Sequence, residues 1–255
     1  MSPATPNGPP PRSPVGRGDE VPVADGWYVR VGKRWFDLAL ALGCTILCAL
    51  PMAVIAVLIR VLDGSPALFR QTRIGRNRQP FTLLKFRTMA QRTEVGSTIT
   101  TTDDPRVTPL GRVLRRSKLD ELPQLLNVLR GDMSFVGPRP DVPGYWDRVE
   151  GEDHRLLALR PGITGPATLL FRREENMLNS VPDPIRFNDE VLFPEKVRLA
   201  HQYWRHASFC SDLLWILLTV APASHVERRL RRMGWQSSLT LRPVNRESPN
   251  RRKLS

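Results

Sequence analysis

Residues Leu38–Ile59 are 22 consecutive positions without a charge, LALALGCTILCALPMAVIAVLI. A bilayer core takes about 20 apolar residues as a straight helix. A buried core helix is usually shorter and keeps a polar face. The run therefore predicts a membrane helix, over about 35–62 once its flanks are added. A secretory signal would stand at the very N-terminus, but here a polar, proline-rich stretch comes first.

Whether the helix spans is a separate question. Arg30, Lys33 and Arg34 precede the run, and Arg60, Arg70, Arg73, Arg76 and Arg78 follow it. A spanning helix usually has its Lys/Arg excess on the cytoplasmic side alone; here both flanks look cytoplasmic. Pro51 sits mid-run, where it removes a backbone donor and favours a kink. Two geometries fit: a kinked single-pass anchor, or a re-entrant helix that bends near Leu50-Pro51 and returns to the same face. A second apolar stretch, Leu213–Val220, is too short to span. With Trp204, Arg205 and Trp215 nearby it suits either an interfacial helix or ordinary core packing.

The formal charge is +13. It concentrates at the end: His225–Ser255 holds nine Lys/Arg against two Asp/Glu, a net of +7. Such a tail suits anionic membrane lipids. Nucleic acid is the competing partner, but no helix-turn-helix, zinc finger or aromatic-basic RNA motif is evident, so none is expected. Cys44, Cys48 and Cys210 lack zinc-site spacing, and their odd number argues against a disulfide scaffold; reduced thiols facing the cytoplasm are expected.

Three segments follow. Residues 1–26 carry seven prolines and little apolar content, which predicts a disordered leader. Residues 27–222 form the folded domain, and 223–255 the basic tail. Within the domain, Asp63-Gly64-Ser65-Pro66 reads as a turn. Ala67–Ile74 and Phe81–Arg87 read as a β-hairpin, and Gln91–Pro105 as a surface loop. Thr108-Pro109 offers a threonine N-cap with proline at N1 for a helix to about Arg116. A second helix is expected from near Asp120, with an apolar stripe of Leu119, Leu122, Leu126 and Leu129 and a glycine cap at Gly131. Helices are also expected over Trp146–Leu159 and through most of Pro194–Leu218. The fold class is α+β, mostly helical.

The chemistry concentrates at Asp120-Glu121. A carboxylate at a helix start sits at the positive end of the dipole, and free backbone N–H groups there favour a phosphate. Arg115 and Arg116 end the preceding helix, and Arg139 lies in the Gly-Pro-Arg-Pro turn after the next one. Arginine grips phosphate oxygens two at a time. One region could thus hold a carboxylate nucleophile, a divalent cation and a diphosphate, magnesium needing only one or two protein carboxylates. An Asp-Glu pair in a first helical turn is also a common capping pattern with no catalytic role. Lys85 and Arg87 follow the second hairpin strand, within plausible reach. Asp37 stands beside Arg34, where a local ion pair is expected. Thr164 in Pro-Gly-Ile-Thr-Gly suits a sugar pocket or a structural turn.

Four stretches resemble one family: Lys33-Arg34-Trp35-Phe36-Asp37 with its apolar run; GSPALFRQTRIGRNRQPFTLLKFRTM at 64–89; DPRVTPLGRVLRRSKLDELPQLLNVLRGDMSFVGPRP at 104–140; and LRPGITG at 159–165. They are similar to the bacterial sugar transferases, the monotopic polyprenyl-phosphate phosphoglycosyl transferases. The resemblance covers about Val31–Val220. It implies a monotopic protein of the bacterial inner membrane, with a re-entrant N-terminal helix and its catalytic part on the cytoplasmic face. It also implies transfer of a sugar-1-phosphate from a UDP-sugar to polyprenyl (undecaprenyl) phosphate, with Mg2+, to start an exopolysaccharide, capsule, O-antigen or glycoprotein glycan. By position, Asp120 is then the nucleophile and a magnesium contact, Glu121 its partner at the dyad and metal, and Arg115 and Arg139 hold phosphate. Pro51 follows Leu50, where relatives often have Ser-Pro or Pro-Pro. A membrane-anchored scaffold or nucleic-acid-binding protein without catalysis is the alternative, and a homo-oligomer is left open.

Overall fold

The computed structural model describes residues 27–64, 66–90, 104–172 and 174–235. The leader over 1–26, most of the loop expected at 91–105, Ser65 of the turn and the tail beyond 235 lie outside the described residues.

The apolar run is one helix, α1 (Lys33–Leu62), with Pro51 inside it and a short π-helical turn, Tyr28–Gly32, ahead of it. Its 18-residue apolar core has a mean hydropathy of 2.6, and only 11% of that window is buried. Among the described residues α1 alone is long and apolar enough to cross a membrane. Leu42, Ile46, Leu47, Leu50 and Val54 are exposed, an apolar surface that demands lipid or a partner. Both ends of α1 are tied down. At the start, Arg34 donates to the Val128 and Leu129 carbonyls (2.6 and 3.0 Å), and Asp37 accepts the Phe135 N–H (3.1 Å). These backbone contacts replace the Asp37–Arg34 pair expected above: Arg34 meets two carbonyls at a helix end and Asp37 a buried N–H. Lys33 and Tyr28 both donate to buried Asp212 (2.6 and 2.8 Å). Near the other end, Ile55 and Ile59 pack with Phe86 and Leu114.

The hairpin forms as expected. β1 (Leu68–Ile74) pairs antiparallel with β2 (Pro80–Phe86), Leu68 opposite Phe86 and Ile74 opposite Pro80. α2 (Pro109–Ser117) begins as the sequence implies, the Thr108 hydroxyl accepting the Gly111 N–H at 2.9 Å. Gly111 is required by proximity, since a Cβ there would strike the backbone of Thr88.

The next helix departs from expectation. Leu119–Glu121 is a single 3-10 turn, and α3 (Gln124–Arg130) starts only after Pro123. Lys118 takes the left-handed conformation (φ 60°) and ends α2. Pro123 has no N–H to give the Leu119 carbonyl, so an α-helical ladder cannot extend back through Asp120; Leu122 bonds that carbonyl instead. The expected leucine stripe is not the deepest face: Leu119 is 38% exposed, while Leu125, Asn127 and Val128 are buried. α3 packs on α1 and on β2, so it buries more than one side. Gly131 caps it at φ 95°, as expected.

β3 (Ser134–Val136) and β4 (Gly162–Thr164) form a short parallel pair. The helix expected over Trp146–Leu159 is instead two 3-10 segments, Trp146–Arg148 and Gly151–Ala158. Extended Val149 and Glu150 and the positive φ of Gly151 (62°) break it. Short helices α4 (Pro166–Leu170), α5 (Glu174–Asn179) and α6 (Pro184–Phe187) lead to α7 (Phe193–His206), α8 (Phe209–Val220) and α9 (Ala223–Arg232). α8 serves both readings of its sequence. Asp212, Trp215 and Leu218 are buried, while Phe209, Leu213, Leu217 and Val220 form an exposed apolar face. The main core gathers around Met133, Val136, Leu199, Tyr203 and Trp215. The three cysteines are free. Thr164 ends β4 and is buried, its hydroxyl 2.6 Å from that of Thr219.

Candidate active site

Asp120 is brought to the site by the short connection between α2 and α3. The left-handed Lys118 and the 3-10 turn point it inward, leaving it only 7% exposed. Its Oδ1 is buried and has no hydrogen-bond partner among the described residues. Burial pushes its carboxyl above the ordinary aspartate range. Neighbouring Glu121 adds to that, while Lys85, Lys118 and Arg115 pull the other way.

Glu121 is treated differently by its surroundings. Burial opposes its charge, but Lys85, Arg139 and Lys118 outweigh that and hold its carboxyl down to about 2. Lys85 Nζ lies 3.3 Å from Glu121 Oε1. Burial lowers the Lys85 ammonium below its usual value, and Arg139 and Arg73 reinforce this against Glu121 and Asp120. Two adjacent carboxylates thus separate into distinct roles, one paired and firmly ionised, the other buried with an unused oxygen.

The supporting residues come from four places. Lys85 projects from β2, which is fixed to α3 by Asn127. This fully buried amide accepts the Leu84 N–H (3.0 Å) and donates to the Thr82 carbonyl (2.7 Å) and to Asp132 (3.1 Å). It occupies the free edge of β2 as a neighbouring strand would. Arg115, near the end of α2, donates Nε to the Thr88 hydroxyl at 2.9 Å. Arg139 stands in the Gly-Pro-Arg-Pro turn, whose backbone is fastened to β4 by Gly137 N–H to Thr164 O and Gly162 N–H to Pro138 O. The buried Trp146 indole donates to the Arg139 carbonyl at 3.0 Å. Arg87 is 7% exposed. Its Nη2 donates to the carbonyls of Asp63 and Gly64, and its Nε and Nη1 are buried without partners among the described residues.

The structure therefore gathers Asp120, Glu121, Lys85, Arg115 and Arg139 within electrostatic range, and sets Arg87 toward the end of α1. Pro51 lies within continuous helix, away from these groups. Sequence reasoning missed Asn127, whose signal is a poor helix former amid leucines. It also missed a second charged set around Arg73, Asp141, Glu174 and Lys196. There Lys196 pairs with Glu174 at 2.8 Å and faces Asp141 at 3.6 Å. Among the described residues no group of three or more His, Cys, Asp or Glu could hold a metal unaided. The unpartnered Asp120 oxygen, beside a second carboxylate, still fits a hard cation that completes its shell with phosphate and water.

An inward aspartate among lysine and arginine thus stands in a fold that also carries a long, exposed apolar helix. Comparison with known proteins names the class. The sequence pattern of the bacterial sugar transferases matches residues 28–225, and the chain belongs to that family. It is 42% identical over 191 residues to the sugar transferase EpsL of Bacillus subtilis, covering 74% of this chain and 85% of that protein. It is 35% identical over 202 residues to the galactosyl transferase CpsE of Streptococcus agalactiae, covering 74% of this chain and 41% of CpsE. It is 45% identical over 144 residues to the UDP-glucose:undecaprenyl-phosphate glucose-1-phosphate transferase of Caulobacter vibrioides, covering 54% of each. The chain thus spans most of EpsL but about half or less of the two longer relatives.

Proposed function

We propose that this chain is a phosphoglycosyl transferase that moves a sugar-1-phosphate from a UDP-sugar to polyprenyl phosphate, releasing UMP and starting a surface polysaccharide. The observation that carries the reading is Asp120: buried, with one oxygen unused, and faced by Lys85, Lys118 and Arg115. The resemblance of the 104–140 stretch to the bacterial sugar transferases supports Asp120 as the nucleophile.

In the first step an Asp120 carboxylate oxygen attacks the phosphorus that bears the sugar. The bond from that phosphorus to the UMP oxygen breaks, and UMP leaves with the electron pair. In the second step an oxygen of the polyprenyl phosphate attacks the same phosphorus. The Asp120–phosphorus bond breaks, and the free carboxylate returns. Arg115, Arg139 and Lys85 stabilise charge on the transferring group. Glu121 stays ionised and anchors Lys85. Asp120 and Glu121 are the residues that would hold magnesium, which when bound would supply positive charge at the diphosphate.

A re-entrant, monotopic arrangement is part of the proposal. Arg34 is fixed at the end of α3, whereas Ile55 and Ile59 join a cluster that includes Leu122, just before α3. A straight helix would put Arg34 and Ile59 roughly 37 Å apart, while the seven helical rises from Leu122 to Leu129 span about 10 Å. A bend at Pro51 reconciles the two and keeps both termini of α1 on one face, which we assign to the cytoplasm.

The test is UMP release from a panel of UDP-sugars with polyprenyl phosphate and magnesium. Radiolabelled sugar phosphate should be trapped on wild type and not on Asp120→Asn. Turnover without any trapped label would point to direct transfer in a ternary complex. Turnover retained in Asp120→Asn would refute the site.

A further inference from the structure

We propose that the groove between the second half of α1 and the start of β1 is the seat of the lipid acceptor. The polyprenyl chain lies over Ala56, Val57 and Phe69, and its terminal phosphate meets Arg87, with Arg60 and Arg70 at the mouth. This rests on the function proposed above and divides its site in two, Arg87 serving the acceptor and Arg115 and Arg139 the donor.

Three features carry the inference. The groove encloses about 780 Å³ between these elements, with apolar walls and Arg60, Arg70 and Arg87 as its charged groups. A nucleotide sugar, dense in hydroxyls, finds few polar partners on such walls, whereas an isoprenoid chain needs none. Secondly, the apolar floor runs on into the exposed face of α1 at Val54, Leu58 and Val61. A chain longer than the groove can therefore continue along the helix into the bilayer. Thirdly, Arg87 lines the groove, is more than nine-tenths buried, and has two donor groups, Nε and Nη1, without partners among the described residues. A desolvated guanidinium is costly unless its donors are met, and a phosphate monoester meets them.

The groove's charged end adjoins the reaction centre. Lys85, two residues before Arg87, pairs with Glu121. Thr88, one residue after it, holds Arg115, which acts on Asp120. A phosphate seated at Arg87 thus lies beside the groups that surround the proposed aspartyl phosphate, on the membrane side.

The experiment uses the full chain in phosphatidylcholine nanodiscs. Val57→Trp fills the groove and Arg70→Glu reverses charge at its mouth; both positions are exposed, so folding is not at stake. Retention of undecaprenyl phosphate is read by native mass spectrometry, alongside undecaprenol and phosphatidylglycerol. KM is measured for both substrates. Each variant should lose at least tenfold in undecaprenyl phosphate retention and gain at least tenfold in acceptor KM, with the UDP-sugar KM within twofold of wild type. Unchanged retention in both variants overturns the assignment. So does equal retention of undecaprenol, which would mean that the arginines do not read phosphate. Displacement by equimolar phosphatidylglycerol would make the groove a general lipid seat and also overturn it. A wild-type chain that retains undecaprenyl phosphate at the groove but releases no UMP would refute the transferase reading and leave the seat standing.

Discussion

Replacing Asn127 by alanine removes three hydrogen bonds from one fully buried position: to Leu84 N–H at 3.0 Å, Thr82 O at 2.7 Å and Asp132 at 3.1 Å. Two of these satisfy backbone groups on the free edge of β2, and alanine offers nothing in return. A buried backbone group left without a partner costs about 1–3 kcal/mol, so the pair costs roughly 2–6 kcal/mol. For a domain of this size each kcal/mol moves Tm by about 2–4 °C, so a mid-range loss near 4 kcal/mol gives a drop of roughly 8–16 °C. The consequence reaches chemistry, because β2 carries Lys85 and Lys85 holds Glu121 at 3.3 Å. A displacement of about 1 Å in a positioning group can cost on the order of 100-fold in rate. Scanning fluorimetry in detergent, with UMP release on the same samples, reads both effects. Asn127→Asp separates the contributions. It keeps the acceptor for Leu84 but sets a second carboxylate near Asp132 and the Thr82 carbonyl. Burial and that neighbour raise its carboxyl in the folded state, so its stability should recover as pH falls. A Tm within about 2 °C of wild type for Asn127→Ala, with unchanged turnover, would refute the strand-edge argument.

The two site carboxylates should respond to pH with opposite sign. The Glu121 carboxyl is held down to about 2 from an ordinary 4.5, so its contribution is present above pH 4.5 and lost as pH falls toward 2. Glu121→Gln should flatten that acid loss in a Tm-versus-pH series. The Asp120 carboxyl is raised, so its proton stabilises the fold at low pH and its charge costs stability above. Asp120→Asn should therefore abolish UMP release while leaving Tm at neutral pH equal to or above wild type; a lower Tm would contradict the burial argument. Gly111→Ala drives a Cβ into the Thr88 backbone, so it should lower Tm and turnover together, by way of Arg115. Asp212→Ala leaves Lys33, Tyr28 and Tyr203 facing an empty buried position. Breaking such a pair costs about 3–5 kcal/mol, seen as a lower Tm and faster proteolysis at the start of α1.

Local grammar made much of the architecture legible. The long apolar helix α1 follows from 22 charge-free residues, the start of α2 from Thr108-Pro109, and the end of α3 from Gly131. Each feature depends on residues within a turn or two of one another, so its physics is written in adjacent letters. Asp120, Glu121, Arg115 and Arg139 stand out as a candidate site by residue type and by resemblance to a family, and folding brings them within electrostatic range of one another.

Other features needed the tertiary structure because their partners are distant in sequence. Lys85 and Glu121 are 36 residues apart, Asn127 and Leu84 are 43, and Arg34 and Val128 are 94. No periodicity encodes such meetings. Asp37 and Arg34 look like a local pair, but each bonds backbone far along the chain, Asp37 the Phe135 N–H and Arg34 the Val128 and Leu129 carbonyls. Asp120 looked like a helix cap, but Pro123 stopped the ladder short and folding buried the carboxylate in a 3-10 turn. Residue types chose the chemistry available to this chain; packing decided which carboxylate is paired and which keeps an oxygen free.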